Sequence, residues 1–146
     1  MPFDCEVVGG GLFAQPVNTI TSLAFLVGAV VVVRTNRLAG VTLALVGIGS
    51  IGFHGFPSAA ASVLHELALV AVVVLAARAL WHRRRSLPWV PLTILVAGLG
   101  IWFISRTGGA WCDPESLIQG HGVWHLLAAT GLAALLAGGT AEHAAR

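Results

Sequence analysis

Residues 117–138, LIQGHGVWHLLAATGLAALLAG, decide the fold. The stretch has no Asp, Glu, Lys or Arg. As a helix rising about 1.5 Å per residue, it is long enough to cross a hydrocarbon layer of roughly 30 Å. Two histidines, His121 and His125, nevertheless lie within it. A titratable side chain is costly in hydrocarbon, so it turns toward a protein interior and marks function. Their four-residue step stacks both imidazoles on one helix face.

Four further spans of similar character precede this one, at 16–33, 38–54, 59–81 and 88–105. Charged residues make up 10% of the 146-residue chain and hydrophobic residues 57%, against roughly 25% charged in a soluble domain. The mean hydropathy is +0.89. The expected fold is therefore an all-α integral membrane protein, a single domain over residues 1–146 forming a five-helix transmembrane bundle. Gly and Ala inside the spans allow close helix contacts. Pro57 and Pro88 suit turns or first helical turns, where no backbone donor is lost. Asp4 and Glu6 replace the basic start of a signal peptide. The net charge of +2 carries no nucleic-acid surface, because the one basic run, Arg83 to Arg85, abuts a span.

Arginine placement sets an orientation. Arg34 and Arg37 lie between spans one and two, and Arg83 to Arg85 between spans three and four, so both loops are expected to be cytoplasmic. The N-terminus then lies outside and the C-terminus, with Arg146, inside, as in a multi-pass plasma-membrane protein; Arg106 is the one dissenting charge. The outer side holds Asp4, Glu6, Asp113 and Glu115, together with Cys5 and Cys112. A disulfide persists outside the cytosol, so a Cys5–Cys112 bridge is expected, with two free thiols as the alternative.

This topology aligns the polar groups in depth. His54 ends span two in Ser-Ile-Gly-Phe-His, His65 and Glu66 fall within about two turns of the outer surface, and His121 and His125 open span five. Two ligands from one helix and one from another make a three-histidine metal site with a fourth position open to water. Taken singly, a His-x3-His pair can be interhelical hydrogen-bond glue, and Ser50 a small packing residue. The agreement in depth, with Ser50 one turn before His54, favours the metal. His82 and His143 read as interface residues, Trp81, Trp89 and Trp111 as an interfacial belt, and Trp124 as packing.

Cys5-Glu6 before the first span, Asn18-Thr19 opening it, Ser50-x3-His54, and Gln119-Gly-His-Gly-Val-Trp-His together resemble the alkaline ceramidase and adiponectin-receptor superfamily, the ceramidases most of all. The likeness covers most of the chain. It implies a shortened relative of a seven-helix bundle in which His54, His121 and His125 bind zinc, and in which water attacks the amide of a lipid. Ser50 would contact that water or the developing oxyanion, and Cys5 and Cys112 match a pair bridged in family members. The family places an aspartate eleven residues after its first zinc histidine, where this chain has His65 followed by Glu66. The two differ by about 100° around a helix. Either His65 or Glu66 is the base, or His65 is a fourth ligand that closes the site. Five spans instead of seven leave a shallower cavity, or one completed by a second copy as a homo-oligomer. The acidic calcium site of the ceramidases is represented only by Asp4 and Glu6.

The function expected is zinc-dependent hydrolysis of a ceramide-like or N-acyl lipid, with His65 or Glu66 moving the proton and Ser50 at the oxyanion. The rival is a non-catalytic zinc-binding receptor or scaffold. A haem protein is a third reading: His121 and His125 on one helix face cannot clamp a haem from opposite sides, whereas His54 with His125 could. Two protease motifs fail. Leu69 stands where His-Glu-x-x-His needs its second histidine, and Ile48 where Gly-x-Ser-x-Gly needs its first glycine.

Overall fold

The computed structural model describes residues 4–138; His143 and Arg146 lie outside the described residues. These fold into helices α1 (Pro16–Thr21), α2 (Leu23–Val32), α3 (Arg37–Gly55), α4 (Ala59–His82), α5 (Trp89–Ile104) and α6 (Gly120–Ala137), with no strand among them. Chains this apolar must satisfy their backbone N–H and C=O groups internally, and a helix does so within one segment. The termini follow local chemistry. Pro16 starts α1 where no donor is lost. Asn36 and Ser58 cap α3 and α4, accepting from Ala39 N at 3.1 Å and Ala61 N at 3.2 Å.

Three helices, α3, α4 and α6, are long and apolar enough to cross a membrane. Residues 16–32, formed by α1 and α2, and α5 are apolar but shorter. Ser22 joins α1 to α2 with helical backbone angles, φ −61° and ψ −22°, so the first span runs on through it. Its hydroxyl and that of Thr19 bond back to carbonyls four residues earlier, at 2.6 Å each. Those carbonyls also accept the ladder N–H groups of the same two residues.

α3 packs between α2 and α4, and α6 between α2 and α5, while α4 touches α6 only lightly. The core lies among α2, α3 and α6. Phe25, Ala29, Val32, Leu43, Val46, Ala128 and Leu136 are buried there, and Ala68 and Val72 join them from α4. The rest of α4 presents Val63, Leu67, Val70, Val73 and Val74 outward. An apolar outer face of that length is what a lipid-facing helix shows. Two close approaches bring the layers together. A Cβ on Gly49 would stand 2.8 Å from His65 Cα, so glycine there lets α4 press on α3. Gly98 of α5 receives the Trp124 ring of α6 in the same way.

The end of α3 meets the starts of α1, α4 and α6, with Gln15 N donating to His54 O at 2.9 Å. Cys5 and Cys112 form a disulfide at this end, with Cα atoms 5.4 Å apart. At the opposite end Arg83 Nη1 donates to Leu135 O at 3.3 Å, serving a carbonyl in the last turn of α6.

Candidate metal centre

His54 enters from the last turn of α3, and His121 and His125 from the first two turns of α6. One potential ligand atom from each lies within 4.8 Å of the other two. The ring centroids are 4.9 Å (His54–His121), 5.2 Å (His54–His125) and 4.6 Å (His121–His125) apart. Imidazole nitrogens around a tetrahedral ion at 2.0–2.1 Å stand about 3.4 Å from one another. The gap to be closed by ring rotation is therefore at most about 1.4 Å. His54 and His125 are buried, and His121 keeps 14% of its side chain exposed.

The partners of the three Nδ1 atoms determine which nitrogen each ring offers. Gln15 Nε2 donates to Glu6 O at 2.9 Å, which fixes the amide so that Oε1 accepts from His54 Nδ1–H at 2.7 Å. His54 Nε2 is then unprotonated, and it is buried with no hydrogen-bond partner. His125 Nδ1 lies 3.1 Å from Thr21 Oγ1 and 3.4 Å from Ser22 Oγ. Thr21 donates its proton to Val17 O at 2.8 Å and Ser22 donates to Asn18 O at 2.6 Å. Both hydroxyls are left to accept from His125 Nδ1–H. His121 Nδ1 stands 2.8 Å from Asp4 Oδ1, off the line of a well-formed hydrogen bond, so the contact is a close electrostatic one. Nδ1 is thus engaged in His54 and His125 and faces Asp4 in His121, which leaves Nε2 as the nitrogen each ring can offer. An orphaned, buried Nε2 is what a metal ligand requires, so the donor set fits an ion.

Asp4 Oδ2 also approaches His54 Nδ1, at 3.6 Å. Burial alone would raise the Asp4 carboxyl, but the nearness of His121 and, beyond it, His54 outweighs that and holds the group below its ordinary value. Glu6 is used differently: its two oxygens accept from Val17 N at 2.7 Å and Asn18 N at 2.9 Å, capping α1 from across the fold. That accounts for the Glu6 carboxylate without a cation.

Ser50 is fully buried, with its Oγ 2.8 Å from Ser22 Oγ. Because the Ser22 proton goes to Asn18 O, Ser50 is the donor of that pair and keeps its lone pairs free. His65 is half-buried, stacked on Phe53 with centroids 5.0 Å apart, and its ring centre is 6.3 Å from that of His54. Its Nδ1 is buried without a partner. Glu66, one residue on, is exposed on the other side of α4. The fold therefore gathers His54, His121, His125 and His65 with the Ser22–Ser50 pair, and leaves Glu66 outside.

Sequence reasoning missed Gln15, Thr21 and Ser22, which orient the rings, and the contact of Asp4 with His121. One signal was present: a polar run from Gln15 to Ser22 opens an apolar span, and Gln15, Asn18, Thr19 and Ser22 are all buried. Polar groups at membrane depth face protein. No protein-family model, no curated protein and no solved structure matches the chain.

Proposed function

We propose that this chain is a zinc-dependent membrane amidase that hydrolyses the amide bond of a ceramide-like or N-acyl lipid. The observation that carries the reading is the set of three imidazoles at one end of the bundle, one ligand atom of each within 4.8 Å of the others, with His54 Nε2 buried and without a partner in the protein. His54, His121 and His125 would hold the ion. Three neutral imidazoles would leave zinc its full double charge, and the chemistry it would supply there is polarisation of a carbonyl and acidification of water toward a pKa of about 7.

The remaining roles belong to the chain. Ser50, its proton spent on Ser22, accepts a hydrogen bond and orients the attacking water. His65, with Nδ1 unpartnered and its ring toward His54, takes a proton from that water and returns it to the departing amine. Glu66, facing outward, is the weaker candidate for that task. The resemblance of Ser50-x3-His54 and His121-x3-His125 to the alkaline ceramidases supports the same chemistry and a lipid substrate.

In this reading all five apolar segments cross the plasma membrane, the N-terminus is outside, and the site lies in the outer third of the bilayer. There the reacting amide can reach it while the acyl chain stays among lipids. The test is metal analysis of detergent-purified protein, with hydrolysis of a fluorescent N-acyl sphingosine. About one zinc per chain is expected, with turnover lost in His121→Ala. A wild-type protein without zinc, or a His121→Ala protein that keeps both metal and turnover, would sink the proposal. A tightly bound zinc with no turnover of any amide lipid favours the non-catalytic receptor or scaffold.

A further inference from the structure

We propose that Asp4 is a positioning residue for His121, held against the His121 and His54 rings by a three-residue strap that the Cys5–Cys112 disulfide locks in place. The inference rests on the triad being a metal site. It adds a determinant of how tightly the metal is held.

Each residue of the strap is fixed by a different element. Asp4 O accepts from Thr107 Oγ1 at 3.0 Å. Cys5 is bonded to Cys112. Glu6 O accepts from Gln15 Nε2 at 2.9 Å, and the Glu6 carboxylate takes the first amides of α1. A chain this close to its terminus would ordinarily be loose; here Asp4, Cys5 and Glu6 are all buried. The result of that anchoring is one carboxylate whose oxygens lie 2.8 Å from His121 Nδ1 and 3.6 Å from His54 Nδ1.

Burying a carboxylate is costly unless it is paired. Asp4 has its partners on the side of each ring away from Nε2. A carboxylate at Nδ1–H fixes the tautomer and orientation of a metal-binding imidazole and raises its basicity. His121 needs this more than the others, because His54 has Gln15 and His125 has Thr21 and Ser22. No other carboxylate among the described residues is available. Glu6 caps α1, and Glu66, Asp113 and Glu115 are exposed. The 2.8 Å contact is already of hydrogen-bond length, so a rotation of the His121 ring is all that Nδ1–H needs to meet Asp4.

The experiment is Zn2+ titration of the full chain in detergent against a competing chelator, with the visible spectrum of the Co2+-loaded form as a second readout. Asp4→Asn, nearly isosteric, should bind Zn2+ roughly 10–100-fold more weakly and shift the Co2+ bands, with unchanged helix content. Asp4→Glu should recover most of the affinity. Cys5→Ser with Cys112→Ser should weaken binding as Asp4→Asn does, and adding Asp4→Asn to that pair should cost nothing further. Asp113→Asn, which makes the same change in net charge, should match wild type. Asp4→Asn with wild-type affinity and spectrum, Asp4→Glu no better than Asp4→Asn, or multiplying losses would overturn the role of Asp4. A wild-type chain that binds no Zn2+ would instead overturn the metal reading itself.

Discussion

Replacing Gln15 with methionine tests the orientation of His54 without touching a ligand. Gln15 is 1% exposed and makes two bonds in opposite senses: Oε1 accepts from His54 Nδ1 at 2.7 Å, and Nε2 donates to Glu6 O at 2.9 Å. Methionine fills nearly the same volume and offers neither. Each polar group left unpaired in a buried site costs about 1–3 kcal/mol, so the folded state should lose about 2–6 kcal/mol. The loss should show as a lower thermal midpoint in detergent. Asp4 Oδ2, at 3.6 Å from the same Nδ1, is too far to replace the amide without movement. His54 would then be free to turn, and Zn2+ affinity should fall roughly 10–100-fold. Gln15→Glu separates the two effects. It keeps an acceptor for Nδ1–H and loses only the donor to Glu6 O, so it should be destabilised yet bind Zn2+ far better than Gln15→Met. Chelator competition on the three proteins decides the matter. A Gln15→Met protein with wild-type affinity would refute the assignment of Nε2 as the ligand atom of His54.

Two further perturbations address the proton carrier and its support. His65→Gln should keep Zn2+ binding and lower turnover of the lipid amide by about 10²–10⁴-fold, whereas Glu66→Gln, on the exposed face of α4, should leave both unchanged; the reverse pattern would give the task to Glu66. Gly49→Val places side-chain carbon where a Cβ would already lie 2.8 Å from His65 Cα. Separating α3 from α4 should cost about 1–3 kcal/mol and reduce turnover more than Zn2+ affinity, read from thermal midpoints and kcat of the same preparation.

The contrast between His65 and Glu66 shows where the sequence stops being informative. Spacing along a helix is a local property, so the shared face of His121 and His125 can be read from a four-residue step. Their common depth with His54 follows from counting spans. Which of two adjacent residues faces inward depends instead on how α4 is rotated against α3. That rotation is set where Gly49 admits the backbone of α4, an event no window of sequence contains. Burial follows the same rule: α4 is the more apolar of the two, yet α6 packs mainly between α2 and α5 while α4 turns most of its surface outward.

The ring partners are further from reach because each crosses the fold. Gln15 meets His54 over 39 residues and Thr21 meets His125 over 104. Yet all of them come from two places, the opening of the first span and the strap before it. The polar side chains that open this span explain why. Apolar residues in their place would be buried at this depth and offer nothing to the rings. Here the Thr21 and Ser22 hydroxyls donate to Val17 O and Asn18 O, and their oxygens accept from His125 of α6. The back-bonded start of the first span and the orientation of His125 are therefore one feature. Thr21→Val with Ser22→Ala would keep the helix and leave the His125 Nδ1–H without an acceptor.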